Sequence, residues 1–499
     1  MKICLIVPSS LFLLDDRVFM TLGILKVAAV LEQSGIAVDV LDLSGIANFE
    51  DVIRDYCSQN NVTIFGITAT TPQLPASTKI LRVIRESMPS AKVILGGPHI
   101  TLVNAARKRE QQLGINGRAI TAFDQLANDY DVLVAGDGEE AIFRAIQKDA
   151  RGLIDADDPK SILFLTNQQL TEEPFPGRHL VDVGSYRYTI DGVPALSMIA
   201  QLGCPFECGF CGGRNSPFLR KIRTRTSESI VAEMVHLYHA YGTRGFMMYD
   251  DELNVNKSIV PLMNLIRKTQ DSLGVEFRLR GFIKAELFTA EQAQAMYQAG
   301  FRWILVGFES GSPRILKNIN KKASREDNTR CLQIAREAGL KIKALMSIGH
   351  PGESEETIME TMNWLLEVRP DDFDATVITT YPGTPYYDNA VPHPDKPGIW
   401  IYQYEKTGDR LYGIEVDYRT TADYYKGDPE GGYKSFVYTD HLNPEQLVRL
   451  RDFVEENVRE KLHIPFNPSA PAQRYEHSMG QSELPSHIWR TTRSTDPAL

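Results

Sequence analysis

The alternation of short apolar runs with segments of helical periodicity restricts the possible fold of this chain most strongly. The runs "KICLIVP", "AVDVLDL", "VTIFGIT", "AKVILGG" and "YDVLVAG" have the length of strands. Between the first two, "LGILKVAAVLEQSG" places apolar residues at helical spacing and stops at Gly35. Continuous apolar strands that alternate with amphipathic helices predict a parallel sheet covered on both faces. Residues 1–150 are therefore predicted to form a five-stranded, Rossmann-like α/β domain.

Small and polar residues follow the strands of this first series. The strand ends read "VPSS", "TATTP", "GGPHIT" and "GDGEE". Ligands of parallel sheets bind beyond the carboxyl ends of the strands, and glycine there lets the backbone approach a bulky ligand closely. Pro8 and Ser9 stand where a dinucleotide site would need a tight glycine turn. The strand ends therefore predict a ligand site, but not a dinucleotide site.

A second series of strands and helices begins at residue 196. The polar, proline-rich residues 151–195 before it are interpreted as a linker. Six apolar strands then alternate with helical segments, from "LSMIAQLG" to "FDATVITTYPGTP". A complete (β/α)₈ barrel needs eight units and roughly 250 residues. Residues 196–395 are therefore predicted to form an open, partial (β/α)₆ barrel with its site at the carboxyl ends of the strands.

Residues 396–499 differ in pattern and predict a small C-terminal α+β domain. Aromatic residues, including Tyr424 and Tyr425, are dense within 400–438, and their alternation indicates strands. A helix is predicted over 444–461, with Asn443 as its N-cap. The aromatic segment is interpreted either as a lid or substrate wall over the barrel, or as a packing cap on the barrel's open edge.

Composition and charge exclude several classes of function. The net charge is −10, with 54 Lys and Arg against 64 Asp and Glu, which disfavours nucleic acid as a partner. No apolar run reaches the roughly 18 residues of a membrane helix. Six cysteines in 499 residues do not make a disulfide framework, so a reducing cytoplasm is the expected location.

The segment "GCPFECGFCGG" holds three of the six cysteines, Cys204, Cys208 and Cys211, within eight residues. A structural zinc site usually needs four ligands, and neither a second cysteine pair nor a nearby histidine completes the set. A [4Fe–4S] cluster has four corners, so three thiolates would leave one iron open to bind and activate a ligand. The spacing therefore favours an iron–sulfur cluster at the rim of the partial barrel.

A C-x₃-C-x₂-C motif after the first strand of a partial barrel, with Phe210 before the last cysteine, resembles the radical S-adenosylmethionine (SAM) superfamily. The resemblance implies that the open iron chelates SAM. It also implies that an electron donor such as flavodoxin or ferredoxin drives SAM cleavage to a 5′-deoxyadenosyl radical. "MYDDELN" departs from the glycine-glycine-glutamate form common in that family, so the acid that contacts SAM stays open. The matching strand ends imply these SAM-binding residues: Phe210, Asp250, Asp251, Glu252, Arg280, Glu309, Ser310, Ile348, Gly349 and Tyr381.

The two halves together, over about residues 1–390, resemble the cobalamin-binding radical SAM subgroup, the class B methyltransferases. Many cobalamin domains carry D-x-H-x-x-G after the first strand, but this chain has "SSLFLLDDR" there. The resemblance therefore implies cobalamin without a histidine on cobalt. A domain that keeps this fold and binds nothing is the alternative. The candidate lining residues are Ser9, Thr68, Thr70, Thr71, Gly97, His99, Gly136 and Glu139, and for His99 a purely structural role is the other interpretation.

The resemblance implies a cobalamin-dependent radical SAM methyltransferase. It would move a methyl group from SAM, via methylcobalamin, to an unactivated carbon of a small molecule such as a secondary metabolite, lipid or tetrapyrrole. No catalytic residue is assigned, because radical capture needs no polar general base. The alternative is a cyclase, ring-rearranging or oxidative enzyme with the same cofactors and no methyl transfer. A methylthiotransferase is disfavoured because it would carry three further N-terminal cysteines, and "YDDELN" with "GFES" argues against a non-enzymatic cluster or cobalamin carrier.

Overall fold

The first part of the chain folds as a parallel sheet with helices on both faces. The computed structural model describes residues 1–10, 16–423 and 433–465. Its first sheet has the strand order β2-β1-β3-β4-β5-β6, and every neighbouring pair is parallel. The strands are β1 (Lys2–Val7), β2 (Ala37–Asp42), β3 (Ile64–Thr68), β4 (Lys92–Gly96), β5 (Val132–Gly136) and β6 (Gly152–Ala156). The helices are α1 (Leu22–Gln33), α2 (Phe49–Gln59), α3 (Leu74–Ser87), α4 (Pro98–Leu113), α5 (Arg118–Asp129) and α6 (Gly138–Ala145).

The structure corrects the predicted linker, residues 151–195, at both ends. Its first residues form β6, a sixth strand beside β5, and it also contains the short helix α7 (Asn167–Glu172) and the two-residue strand β7 (Thr189–Ile190). The sequence "GLIDA" of β6 is mostly half-buried, so it lacks the continuous apolar run by which the other five strands were predicted. This strand is therefore held in the sheet mainly by its main-chain hydrogen bonds to β5 and less by burial of its side chains.

The second part forms a curled half-barrel. Its sheet has the order β15-β14-β13-β12-β11-β8-β7, with six parallel strands and the antiparallel β7 at one edge. The parallel strands are β8 (Val193–Met198), β11 (Gly245–Met248), β12 (Arg278–Phe282), β13 (Phe301–Glu309), β14 (Lys341–Ile348) and β15 (Asp372–Val377). The outer helices are α9 (Ser227–Tyr241), α10 (Ile259–Leu273), α11 (Ala290–Gln298), α12 (Pro313–Asn318), α13 (Arg325–Glu337) and α14 (Glu355–Val368). The predicted α/β class with a partial (β/α)₆ barrel is confirmed.

A short hairpin frames the cysteine segment at the end of β8. Strand β9 (Gln201–Leu202) pairs antiparallel with β10 (Arg223–Thr224), and helix α8 (Pro217–Arg220) lies between them. Pro217 occupies the first turn of α8, and the Ser216 hydroxyl accepts a hydrogen bond from the Leu219 backbone N–H at 3.3 Å. The three cysteines therefore lie in a loop that is closed at its base by main-chain pairing.

The C-terminal part closes the open edge of the half-barrel. Helix α15 (Pro385–Asp388) leads to an antiparallel sheet, and the final helix α16 (Pro444–Leu462) packs against α14 and β15. Glu455 on α16 accepts a hydrogen bond from the Ala375 backbone N–H at 2.6 Å, and the Tyr433 hydroxyl accepts one from the Val377 N–H at 2.9 Å. These bonds satisfy the edge of β15. The sheet consists of β16 (Val391–Pro392), β17 (Ile399–Gln403), β18 (Arg410–Ile414) and β19 (Val437–Thr439).

The contact of Tyr433 with β15 favours the packing-cap interpretation of the aromatic segment, and α16 covers the same edge of the half-barrel. Within the predicted aromatic segment, Tyr424 and Tyr425 lie outside the described residues, as do residues 466–499 of the predicted C-terminal domain. Within the described ranges, no helix has both the length and the apolarity needed to span a membrane.

Candidate functional site

The cysteine loop is held by hydrogen bonds to residues of the loop itself and to the segment that follows β13. The Cys204 backbone N–H donates to the Leu219 carbonyl at 3.0 Å, and the Gly209 N–H donates to the Ile319 carbonyl at 2.9 Å. The Arg214 guanidinium donates to the carbonyls of Cys204 at 2.9 Å and Phe206 at 2.6 Å. Arg214 was not predicted from the sequence. Its only signal is its position just after the motif, where a cation can bind loop carbonyls and face the thiols.

The chemistry of the three thiols fits an iron–sulfur cluster. Burial raises the pKa of Cys204, Cys208 and Cys211, for Cys211 to about 12, and the nearby Arg214 partly offsets this. Thiols in this state must lose protons when metal binds, so assembly of a metal site releases protons. Within the described residues, no three His, Cys, Asp or Glu side chains converge on a single metal ion. A four-iron cluster suits this arrangement better than zinc, because each iron takes one thiolate.

Glu309 is fixed at the carboxyl end of β13 in a backbone conformation that is rare for non-glycine residues, with φ of 64°. Its Oε1 accepts a hydrogen bond from the Lys321 ammonium at 3.0 Å, and its Oε2 accepts one from the Ser347 hydroxyl at 2.8 Å. Lys321 is buried and was missed in the sequence, where "NINKK" shows only a charged turn. A strained residue held by two charged or polar partners at a strand end marks this carboxylate as a functional candidate.

The three acids after β11 have different surroundings. Asp250 accepts hydrogen bonds from the backbone N–H groups of Ala200, at 2.9 Å, and Gln201, so it fixes the chain that enters the cysteine loop. Asp251 interacts electrostatically with Arg214 beside the thiols. Burial raises the pKa of Glu252 to about 7, against the opposing effect of Lys321 and then Lys284. The structure therefore separates a structural acid, Asp250, from two acids that share the basic surroundings of the cysteine loop.

Three of the predicted SAM-binding residues make contacts within the protein, and their role in binding SAM stays a prediction. Ser310 is buried, and its hydroxyl lies 2.9 Å from the Thr361 hydroxyl and accepts from the Ser312 N–H at 3.1 Å. Ile348 is part of the main apolar core. Arg280 lies inside the half-barrel, where its guanidinium donates to the Tyr188 hydroxyl at 3.2 Å. The sequence placed these residues at strand ends but could not show which face of the sheet each side chain occupies.

The remaining predicted SAM residues lie around the cysteine loop. Phe210 packs on the buried Ile315, Leu316 and Ile319 beside α12, so it anchors the loop. Tyr381 lines a large cavity, and its ring lies directly beside Gly212. Gly349 has φ of 96° and lies against Val377 at the end of β15.

One cavity of about 740 Å³ connects the strand ends of the first sheet with the mouth of the half-barrel. Six of the eight predicted cobalamin residues line it: Thr68, Thr70, Thr71, Gly97, Gly136 and Glu139. On the barrel side its wall includes Ala200, Gln201 and Tyr249, next to the cysteine loop. A Cβ on Gly97 would lie 2.8 Å from the Ala69 nitrogen, so only glycine leaves this wall in place. The cavity size and its glycine-lined wall fit a bulky cofactor.

Ser9 and His99 are not among the residues that line this cavity, so the cavity gives no support to these two predicted cobalamin contacts. The Ser9 hydroxyl donates to Asp16 at 2.9 Å, and Ser10 lines the cavity in its place. His99 is buried with its Nδ1 3.0 Å from the Thr71 hydroxyl, and burial lowers the pKa of His99 to about 3. The neutral His99 ring therefore supports Thr71, which is the purely structural role given above as the other interpretation of this residue.

Known proteins share both halves of this arrangement. A sequence profile of the Radical SAM superfamily matches residues 198–365, and one of the B12 binding domain matches residues 17–127. An uncharacterized methyltransferase of Pyrococcus horikoshii, PH0819, is 26% identical over 400 residues, which cover 78% of this chain and 83% of the relative. The anaerobic magnesium-protoporphyrin IX monomethyl ester cyclase of Cereibacter sphaeroides is 24% identical over 390 residues, 72% of this chain and 59% of the relative.

A solved structure has the same fold over most of the chain. The radical S-adenosylmethionine methyltransferase TsrM from Kitasatospora setae, with cobalamin and a [4Fe–4S] cluster bound, superposes with a TM-score of 0.61. The two are 18% identical, and the match covers 94% of this chain and 89% of TsrM. Together with the two domain matches, this confirms the predicted class. The chain is a cobalamin-dependent radical SAM enzyme whose cofactors are a [4Fe–4S] cluster, SAM and cobalamin.

Proposed function

We propose that this protein is a radical SAM C-methyltransferase that moves a methyl group from SAM, by way of cobalamin, to an unactivated carbon of a small molecule. The observation that carries the proposal is the single cavity shared by the sheet crevice and the half-barrel mouth. Two cofactors that act on one substrate must reach the same space. The names of PH0819 and TsrM, both methyltransferases, support methyl transfer.

Different residues of this chain would bind the cluster, SAM and cobalamin. Cys204, Cys208 and Cys211 would hold three corners of the cluster, while Asp251, Glu252 and Glu309 supply carboxylates for the ammonium and hydroxyl groups of SAM. When bound, the cluster with SAM supplies reductive cleavage of the sulfonium, and cobalamin supplies the methyl carrier. The glycine-lined wall of the first sheet would hold cobalamin by shape.

The barrel side of the cavity is suited to exclude water. Phe19, Phe218, Tyr249 and Tyr381 contribute aromatic surface to its lining. The Phe19 ring contacts the Tyr249 ring at a centroid distance of 5.1 Å, so the first domain reaches into the half-barrel mouth. Exclusion of water protects reactive intermediates from side reactions.

The cyclase relative favours a second candidate, a radical reaction with the same cofactors and no methyl transfer. The two candidates differ in the product. Anaerobic enzyme is offered methyl-labelled SAM, a reductant and pools of small molecules, and products are analysed by mass spectrometry. A product heavier by one labelled CH₂ supports the methyltransferase. A substrate consumed without label, with deoxyadenosine formed, would establish the second candidate instead.

An acidic electron-donor protein, such as a flavodoxin or ferredoxin, would dock where the cysteine loop reaches the surface. Pro205 and Glu207 are exposed between the first two cysteines. The Arg220 guanidinium donates to the Pro205 carbonyl at 3.1 Å and pairs with Glu207 at 3.2 Å. Exposed Lys221 follows Arg220, while Lys317 and Lys322 flank the segment that bonds to Gly209. This basic rim, in a chain of net charge −10, suits an acidic partner.

Substitutions in the basic rim test whether the electron donor docks there. In the double variant Lys317→Glu and Lys322→Glu, reduction by flavodoxin at low salt should slow about tenfold, because opposite charges steer association. Reduction by dithionite should stay unchanged. Lys268→Glu, an equally exposed change on α10, serves as the control. Equal rates with flavodoxin for all variants would exclude this docking face. A cytoplasmic location goes with the proposal, because free thiols persist in reducing compartments.

A further inference from the structure

We propose that His350 is a positioning residue for SAM, which orients Glu309 through Ser347 and ties it to the cysteine loop through Tyr386. The inference rests on the proposed function, in which Glu309 contacts SAM. His350 lies in "SIGHPGES", directly after two residues that the sequence implicated, but nothing in the sequence pattern singles out the histidine itself. The structure shows that it joins strand ends that are distant in the chain.

Four hydrogen bonds form one continuous chain through His350. The Lys321 Nζ lies 3.0 Å from Glu309 Oε1, and Glu309 Oε2 lies 2.8 Å from the Ser347 hydroxyl. The same hydroxyl is 2.7 Å from His350 Nε2, and His350 Nδ1 is 3.3 Å from the Tyr386 hydroxyl. His350 is completely buried. No other group is required to connect Lys321 with Tyr386.

The direction of each bond follows from the donors and acceptors available. The Glu309 carboxylate, paired with Lys321, only accepts, so Ser347 must donate its single hydroxyl proton to it. The Ser347 oxygen then accepts from Nε2–H of His350. Burial lowers the pKa of His350 to about 4, so the ring is neutral and carries one proton. Nδ1 therefore accepts from the Tyr386 hydroxyl, and every donor in the chain points toward Glu309.

The far end of the chain is attached to the cysteine loop. The Tyr386 backbone N–H donates to the Gly209 carbonyl at 3.0 Å. The Tyr386 ring covers Gly209 so closely that a Cβ on Gly209 would overlap it. The Phe210 ring lies against His350 at a centroid distance of 5.4 Å. His350 thus bridges the segment between Cys208 and Cys211 and the carboxylate at the end of β13.

This geometry explains why a polar ring occupies an apolar interior. A phenylalanine would fill a similar volume and need no hydrogen-bond partners, whereas a buried imidazole is favourable only when both nitrogens are bonded. Here both nitrogens are bonded, and the chain holds a glutamate in a strained backbone conformation. The cost of that strain requires surrounding contacts that fix it.

The experiment compares variants of similar side-chain size that differ in the hydrogen bonds they can make. His350→Phe removes both bonds, and His350→Gln keeps an amide N–H that can reach Ser347. Tyr130→Phe is a matched control, because it removes a buried hydroxyl that bonds Ser77 in the first domain. The holoenzyme is reconstituted anaerobically, and SAM binding is measured by calorimetry without turnover, together with iron content, the cluster's absorption spectrum and the melting temperature.

We expect His350→Phe to weaken SAM binding about tenfold, as loss of a buried hydrogen bond would do. Iron content should match that of the wild type. His350→Gln should recover most of the affinity, and Tyr130→Phe should not change it. Equal loss in the Phe and Gln variants would mean that packing, not hydrogen bonding, matters, and unchanged binding in both would also overturn the proposal.

The experiment also distinguishes two other outcomes, a variant that does not fold and a wild-type protein that does not bind SAM. If His350→Phe fails to fold, Tyr386→Phe, which removes only the distal hydroxyl, replaces it in the comparison, and an affinity equal to the wild type would then contradict the proposal. If the wild-type protein itself binds no SAM, the proposed function fails rather than the role of His350. Methyl transfer is not part of this measurement, so its absence leaves the inference intact.

Discussion

The carboxyl ends of the strands differ in composition between the first sheet and the half-barrel. The strand ends of the first sheet offer glycines and threonines, such as Gly97, Gly136 and Thr68. The ends of the half-barrel offer charges, with the Lys321–Glu309 pair among them. We expect the first surface to select a ligand by shape, because a side chain in place of Gly97 or Gly136 would meet the backbone. We expect the second to select a ligand by charge, because its ions are buried and paired.

This difference predicts that the protein is sensitive to different kinds of substitution at the two sets of strand ends. A change of volume should matter most at the sheet crevice, since its walls are backbone and small side chains. A change of charge should matter most at the half-barrel, since a buried ion that loses its partner is costly. The substitutions below each test the sensitivity of one set of strand ends, and they are given in order of decreasing expected effect.

Lys321→Met should destabilise the protein by about 3–5 kcal/mol, because it leaves the buried Glu309 carboxylate without its cation. The double variant Lys321→Met with Glu309→Gln should recover a large part of this loss, because it removes the unpaired charge. Denaturant unfolding of the anaerobic protein measures both. If the single variant is as stable as the wild type, the pair does not stabilise this end of the half-barrel.

Gly97→Ala should cost about 1–3 kcal/mol and abolish retention of cobalamin, while the iron content stays normal. Gly97 has φ of 95°, and the added Cβ would meet the Ala69 backbone. Gly242→Ala is the matched control, since Gly242 has φ of 67° but open space around it. Cobalamin content is read from the absorption spectrum of purified protein. A crevice that recognises shape predicts loss of cobalamin only in the Gly97 variant.

Asp250→Asn should change the pH dependence of stability by about 1–3 kcal/mol between pH 4 and 7. Burial raises the pKa of Asp250 to about 7, so the native state keeps a proton that the unfolded state releases near its ordinary pKa. Stability from this group is therefore present at low pH and is lost progressively as pH rises from about 4 to about 7. Asparagine cannot titrate, yet its carbonyl can still accept from Ala200 and Gln201. Identical pH profiles for both proteins would contradict this assignment.

Much of the fold could be predicted from the sequence, because buried parallel strands appear as continuous apolar runs. The runs of β1 to β5 and of the six barrel strands were all recognised in this way. Strand β6 was not, because "GLIDA" pairs through its main chain and is only partly buried. Strand β7 is two residues long and carries no pattern at all.

Site residues could be predicted where the spacing of a motif indicates their chemistry. They could not be predicted where their role depends on the direction of the side chain. Three cysteines within eight residues indicate a cluster by their spacing alone. Arg214, Lys321 and His350 carry no such signal, since single charged or polar residues after a motif are common. Ser310 and Ile348 were assigned from the resemblance of "VGFESGS" and "SIGHPGES" to family segments. That resemblance does not show that the Ser310 side chain bonds a neighbouring helix or that Ile348 faces the core.

The central claim is that three thiols hold a cluster beside a cavity shared with cobalamin. The most direct measurement is deoxyadenosine formation from SAM under dithionite, in the wild type and in Cys208→Ala, with iron and cobalamin contents determined on the same samples. We predict that the variant keeps cobalamin, loses most of its iron and forms no deoxyadenosine. Undiminished deoxyadenosine formation by Cys208→Ala would contradict the account.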